Sequence, residues 1–142
     1  MGVLSDLIVA PVGDVERVAH AEVPSQVFDG IDLKGIDTVR FGTLHSLLIG
    51  QTFEDLLPLY DPVVTVSDEG PWVFQIPQDL VSLLAEVDDI RKSEVARQWA
   101  KTEEFALDRW TEREVASALD SISTLAKRVI EPDQALFLWM SL

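Results

Sequence analysis

The stretch L-F-L-W-M-S-L, residues 136–142, decides the fold of this chain. Successive side chains of a β-strand point to opposite faces of the sheet, and here both faces are apolar. One face carries Leu136, Leu138 and Met140, and the other carries Phe137 and Trp139. A strand that is apolar on both faces is typical of the inside of a sheet. We therefore expect an inner strand here, with helices covering at least one side of the sheet.

Two other regions of the chain have the composition of strands. Residues 3–9, V-L-S-D-L-I-V, predict a first strand that ends before Pro11, and this strand is a candidate neighbour for the last one. Residues 63–66 and 72–76 flank the sequence S-D-E-G-P, which is typical of a β-hairpin with a long turn.

The segments between the strands have helical patterns. The clearest begins with T-E-R-E at residues 111–114, a capping box, and continues as an apolar stripe to Val129. Asp37 and Gly50 are of the residue types that begin and end a helix. Residues 22–36, with one proline and two glycines, predict an irregular connection. Further helices are expected at about residues 14–21, 52–58, 77–87 and 89–100.

This order of elements predicts an α+β fold. We expect a small mixed or antiparallel sheet that includes the N- and C-terminal strands and a central hairpin, packed against several helices. No repeat, low-complexity tract or charged tail divides the chain. Since 142 residues is a typical domain length, we expect residues 1–142 to form a single domain.

The charge of the chain limits its partners. With 25 acidic and 11 basic residues, the net charge is −14. A field of this sign repels the phosphates of nucleic acids and the headgroups of anionic lipids, so we expect neither as a partner. The sequence has no cysteine, no signal-peptide pattern and no apolar run of the roughly 20 residues that a membrane span needs, which favours a cytoplasmic protein.

One segment resembles a known family. Residues 40–50, R-F-G-T-L-H-S-L-L-I-G, resemble the helix R-W-x-x-L-H-x-L-L-x-G of the YfbM-like family, a bacterial domain of unknown function. The Met1-Gly2 start, the order of elements and the apolar last strand are similar as well, although Phe41 stands where the family has Trp. The resemblance implies an α+β fold and no particular activity, because the family has no assigned catalytic residue.

Few residues are candidates for chemistry. His45 is either a general base at a cleft or a half-buried side chain bonded to a backbone carbonyl, and the second reading is favoured. Glu16 and His20 have the spacing of two metal ligands on one helix face, but no third ligand is marked. The chain has no glycine-rich phosphate loop, G-x-S-x-G elbow or H-E-x-x-H motif, so we predict no catalytic residue, metal ion or cofactor.

Two functions follow as hypotheses. The favoured one is a non-enzymatic interaction module that binds a basic protein, for example a toxin domain, through an acidic patch with exposed aromatic side chains. The alternative is a small-molecule binder or small enzyme with a cleft near His45. The candidate binding residues are Arg40, Phe41, His45 and Trp139. Trp139 shares a strand face with Phe137, and we expect the chain's own elements or a second copy in a homodimer to cover that face.

The net charge generates a first prediction. At about 50 mM salt, where attraction to phosphate is strong, the protein should not shift DNA or RNA in a gel assay. Tight binding that weakens as salt is added would contradict this interpretation of the charge.

Overall fold

The computed structural model describes residues 3–142, which form eight α-helices, two short 3-10 helices and five strands. Met1 and Gly2, part of the resemblance to the YfbM-like family, lie outside the described residues. The strands are β1 (Leu4–Pro11), β2 (Asp29–Asp32), β3 (Val64–Thr65), β4 (Trp72–Gln75) and β5 (Gln134–Ser141). The helices are α1 (Val15–His20), α2 (Pro24–Val27), α3 (Thr38–Ile49), α4 (Phe53–Leu56), α5 (Gln78–Glu86), α6 (Asp89–Ala100), α7 (Glu103–Leu107) and α8 (Glu112–Ala126). The 3-10 helices are Val12–Asp14 and Leu57–Tyr60.

Within residues 3–142, no helix combines the length and apolar character needed to cross a membrane.

The strands form one antiparallel sheet in the order β2-β1-β5-β4-β3. β5 is central and pairs with β1 over eight positions, from Leu4 opposite Ser141 to Pro11 opposite Gln134. On its other side, β5 pairs with β4 of the hairpin. The predicted α+β fold is therefore confirmed, with both terminal strands and the hairpin in one sheet.

The first face of the sheet carries the main core. Leu136 and Leu138 of β5 and Phe74 of β4 pack there, together with side chains from α3, α5, α6 and α8. The core-facing stripe of α8 has the predicted helical period, since Val115, Leu119, Ile122 and Leu125 are all buried. This face of the sheet therefore packs against the longest helices of the chain.

The second face has a smaller core of its own. Phe137 and Trp139 of β5 pack there with Val18 and Ala19 of α1. Trp139 is only 6% exposed. The chain's own elements therefore cover this face, and homodimer formation stays a prediction that the burial of Trp139 does not require.

Residues 22–36 are more regular than predicted, because they contain α2 and β2. The buried carboxylate of Asp6 on β1 accepts a hydrogen bond from the Ser25 N–H at 2.9 Å, which anchors α2. In β2, Gly30 lies opposite Ile8, and a Cβ at Gly30 would lie 2.4 Å from Cδ1 of Ile8. Glycine thus marks a close approach inside a strand here, and not a loop.

Both predicted ends of α3 and the predicted start of α8 are confirmed, whereas α8 ends at Ala126 and does not reach Val129. Asp37 accepts a hydrogen bond from the Arg40 N–H, and Gly50 ends α3 with a left-handed φ of 75°. At α8, Thr111 and Glu114 form the capping box, each side chain accepting from the other's backbone N–H.

These contacts predict the stability of two α8 variants. Thr111→Ala should lower the free energy of unfolding by about 1 kcal/mol, because the Glu114 N–H loses its acceptor. Leu119→Ala should lower it by about 2–5 kcal/mol, because Leu119 is buried in the main core. Denaturant melts measure both, with Thr124→Ala as a control at an exposed position of the same helix. Equal and negligible losses would contradict the placement of α8.

Candidate functional site

α3 carries three of the four predicted binding residues, and the fold buries all three. Phe41 and His45 have no exposed surface, and Arg40 is 7% exposed. Trp139 lies on the opposite face of the sheet, so the structure does not bring it together with the others. Their role in binding stays a prediction, and their burial favours a structural role for each.

Arg40 ties α3 to α7. Its guanidinium donates to the carboxylate of Asp37 at 3.2 Å, to the carboxylate of Asp108, and to the backbone oxygen of Glu104 at 3.1 Å. The same group lies 5.1 Å from the centre of the Phe105 ring, within the range of a cation–π contact. Since these partners all belong to the chain itself, the packing of α7 explains why a buried arginine is present.

His45 lies in a polar network that is buried at His45 and Tyr60 and reaches the surface at Asp79. Its Nδ1 is 3.1 Å from the hydroxyl of Tyr60, and its Nε2 is 3.1 Å from Oδ2 of Asp79. The structure corrects the sequence reading in two respects: His45 is fully buried rather than half-buried, and its partners are side chains rather than a backbone carbonyl. Burial, and then the negative charge of Asp79, raise the pKa of Tyr60 well above its usual value. Both ring nitrogens of His45 thus have side-chain partners within the chain.

Glu16 and His20 lie next to each other on the surface of α1. Nε2 of His20 is 3.6 Å from Oε2 of Glu16, and both side chains are largely exposed. Among the described residues, no three His, Cys, Asp or Glu side chains cluster in a way that could hold a metal ion. The geometry of this pair is that of an ordinary surface contact.

A long acidic stretch without Lys or Arg was not among the features predicted from the sequence. Residues 41–90 contain nine acidic residues and no Lys or Arg, although the chain has 11 basic residues. Residues 53–69, which we call the acidic segment, run from α4 to the hairpin turn. Five exposed carboxylates lie in this segment, and none of them forms an ion pair with another described residue: Glu54, Asp55, Asp61, Asp68 and Glu69. The absence of Lys and Arg from these 50 consecutive positions is the sequence signal that could have revealed the acidic segment.

The acidic segment also exposes apolar side chains. Four of them are between 40% and 51% exposed: Leu57, Leu59, Val63 and Val66. The exposed aromatic side chains that we expected on an acidic patch are not in this segment, since Phe53 is partly buried and Tyr60 is buried. The segment therefore combines aliphatic and acidic groups.

A groove between β2 and α8 is a second surface feature. Its volume is about 520 Å³, and none of the four predicted binding residues lines it. Sequence reasoning missed the groove as well, because its two walls come from distant parts of the chain.

No protein-family model, curated protein or solved structure matches the chain. The similarity to the YfbM-like family therefore stays a prediction that rests on the α3 motif and the order of elements.

The buried network makes a prediction about pH. Tyr60 is the chain's one tyrosine, so tyrosinate absorbance reports its ionisation directly. Because folding raises the pKa of Tyr60 above its unfolded value of about 10, the contribution to stability is complete below that pH and is lost as the pH rises beyond it. In the native protein, tyrosinate should form only as the protein unfolds in alkali, whereas in urea Tyr60 should titrate near pH 10.

Tyr60→Phe is the matched variant. It should lower the free energy of unfolding at neutral pH by about 1 kcal/mol, because one hydrogen bond to His45 is lost. It should also make stability fall less steeply above about pH 10, because the ionising group is gone. A Tyr60 that ionises near pH 10 in the folded protein would contradict the buried network.

Proposed function

We propose that this protein is a non-enzymatic interaction module that binds a basic protein through the acidic segment. One observation carries the proposal: residues 53–69 contain five exposed carboxylates without ion-pair partners among the described residues, together with four half-exposed aliphatic side chains. A basic toxin domain in the cytoplasm is one partner of this kind.

The carboxylates supply attraction at long range. Because residues 41–90 contain no Lys or Arg, no base within this stretch offsets the five charges. Salt screens this attraction over the Debye length, about 8 Å at physiological ionic strength. Such a surface speeds the encounter with a basic partner, and the association rate falls as salt is added.

The aliphatic side chains supply attraction at short range. Leu57 and Leu59 come from a 3-10 helix, and Val63 and Val66 flank β3. Burying such groups contributes about 25 cal/mol per Å² of apolar surface. Since regular elements or their immediate neighbours hold these side chains, little conformational freedom is lost on binding. An apolar centre with a charged rim is a common design of protein interfaces.

A cleft near His45 is the weaker candidate. The imidazole has no exposed surface, and a substrate would have to displace Tyr60 or Asp79 to reach it. These contacts support a packing role for His45, so we favour the interaction module over a small enzyme.

A charge-matched pair of variants tests the proposal. In the segment variant, Asp61→Asn, Asp68→Asn and Glu69→Gln remove three carboxylates of the acidic segment. In the control variant, three exposed carboxylates outside it are neutralised: Glu22→Gln, Glu131→Gln and Asp133→Asn. Each variant changes the net charge from −14 to −11. The probe is a fluorescent peptide of alternating Lys and Leu, followed by anisotropy at several salt concentrations.

The two variants should differ in affinity. We expect the segment variant to lose about five- to tenfold in affinity, because exposed charge pairs each contribute about 0.2–1 kcal/mol. The control variant should lose less than about twofold. An equal loss in both would show only general charge attraction and would contradict a binding role for the acidic segment. No binding of the peptide by the unmodified protein would overturn the proposed function.

A further inference from the structure

We propose that the groove between β2 and α8 is a binding site for a small carboxylate with an apolar body, such as a medium-chain fatty acid. Its volume of about 520 Å³ lies within the roughly 300–1,000 Å³ of typical small-molecule sites. This site is separate from the acidic segment and does not depend on the function proposed for it.

Small side chains on α8 create the groove. Ser117, Ala118 and Ser121 lie on adjacent turns along one flank of the helix, and all three line the groove. Their short side chains leave the space next to β2 open, while the core-facing stripe of α8 fills the space under the sheet. A leucine at position 117 would extend into the groove.

The apolar wall suits a hydrocarbon body. Ile31 and Leu33 contribute aliphatic surface, and Trp110 contributes an indole ring. The Trp110 ring is held against Phe105, with 5.0 Å between the ring centres. A ligand can therefore bury apolar atoms against a wall that is already in place.

Two cations give the groove its preference for an anion. Lys34 and Arg113 line it, and neither side chain forms an ion pair or hydrogen bond with another described residue. The two nearby carboxylates already accept hydrogen bonds from the backbone: Asp32 from the Lys34 N–H at 2.8 Å, and Glu114 from the Thr111 N–H at 3.0 Å. Hydrogen bonds from Thr111, and to a smaller extent the charge of Lys34, lower the pKa of Glu114. The side-chain N–H groups of Lys34 and Arg113 nevertheless form no hydrogen bond with a described residue, so the groove offers cationic donors to a ligand. Because the carboxylates keep the local charge moderate, it suits a monoanion better than a phosphate.

The backbone at Lys34 is strained. Its φ of 55° lies in the left-handed region, which residues other than glycine rarely adopt. The Leu33 N–H, which donates to the Ser5 oxygen at 2.9 Å, helps to hold this turn. Strain of this kind often accompanies ligand sites. Glycine would adopt this backbone conformation more easily than lysine does. The presence of lysine here therefore favours a role for its side chain in binding.

An NMR titration of the full chain with octanoate tests the proposal, with octylamine as the cationic probe of equal chain length. The site variant carries Lys34→Gln and Arg113→Gln. The control variant carries Arg97→Gln in α6 and Lys101→Gln at the residue that follows it. Both side chains are exposed, and neither has an ion-pair partner among residues 3–142. Both variants change the net charge from −14 to −16. Ser117→Leu fills the groove, and Ser82→Leu places the same change at an exposed position of α5.

Octanoate should shift the amide signals of residues 31–34 and 110–121 with a Kd of about 1 mM or lower, and octylamine should not. The site variant should bind about three- to tenfold more weakly, because two cationic donors are lost, while the control variant is unchanged. Ser117→Leu should abolish the shifts and Ser82→Leu should not.

Any of the following results would overturn the proposal. The first is the absence of saturable shifts at the groove in the unmodified protein. The second is equal binding of octylamine, or equal weakening in the site and control variants. The third is binding of a neutral extended peptide in the groove without any binding of octanoate. That result would mean that the groove binds a polypeptide and not a small carboxylate. Lys34→Gly tests whether weaker binding comes from misfolding. Because glycine suits the left-handed φ, the melting temperature of this variant should be no lower than that of the unmodified protein. The variant should still bind octanoate more weakly, because the lysine side chain is gone.

Discussion

Burial of both faces of β5 is the constraint on which the rest of the structure depends. Leu136 and Leu138 need cover on one side of the sheet, and Phe137 and Trp139 need it on the other. Four of the longer helices cover the first side, and α1 with its neighbours covers the second. Because β5 is central, the short strands β2 and β3 become the edges of the sheet. Both proposed binding surfaces lie beside these edges, where fewer side chains are needed for the core.

The α3 motif shows how residues of catalytic type can serve packing. Arg40 holds α7, and its backbone oxygen accepts a hydrogen bond from the Trp99 indole at 3.0 Å. Gly42 lets the ring of Phe53 approach so closely that a Cβ would lie 2.5 Å from it. His45 joins the 3-10 helix and α5 through Tyr60 and Asp79. Nε of Arg40 is buried without a hydrogen-bond partner, but the other polar contacts of the motif favour one arrangement of the surrounding elements over others. These contacts support a packing role for the motif.

The features that sequence could predict are those with local signals. The two-sided apolar pattern of β5 and the capping box of α8 are each contained in a few consecutive residues, so both were predicted correctly. β2 was not, because its pairing depends on β1 residues that lie 20 to 26 positions earlier. The partners of His45 lie 15 and 34 positions away, and nothing local identifies them. The groove depends on which residues lie opposite Ser117 and Ser121, and only the tertiary structure determines that.

The pairing of β1 with β5 also determines how long β1 must wait for its partner strand during synthesis. Pro11 pairs with Gln134, which is made 123 positions later. At about 5–20 residues per second, a ribosome needs roughly 6 to 25 seconds to cover that distance. β2 can protect one edge of β1 soon after it emerges, but the other edge has no native partner until β5 appears. Throughout that interval the apolar sequence L-I-V-A of β1 is exposed to other nascent chains, and contacts of such long range also form slowly.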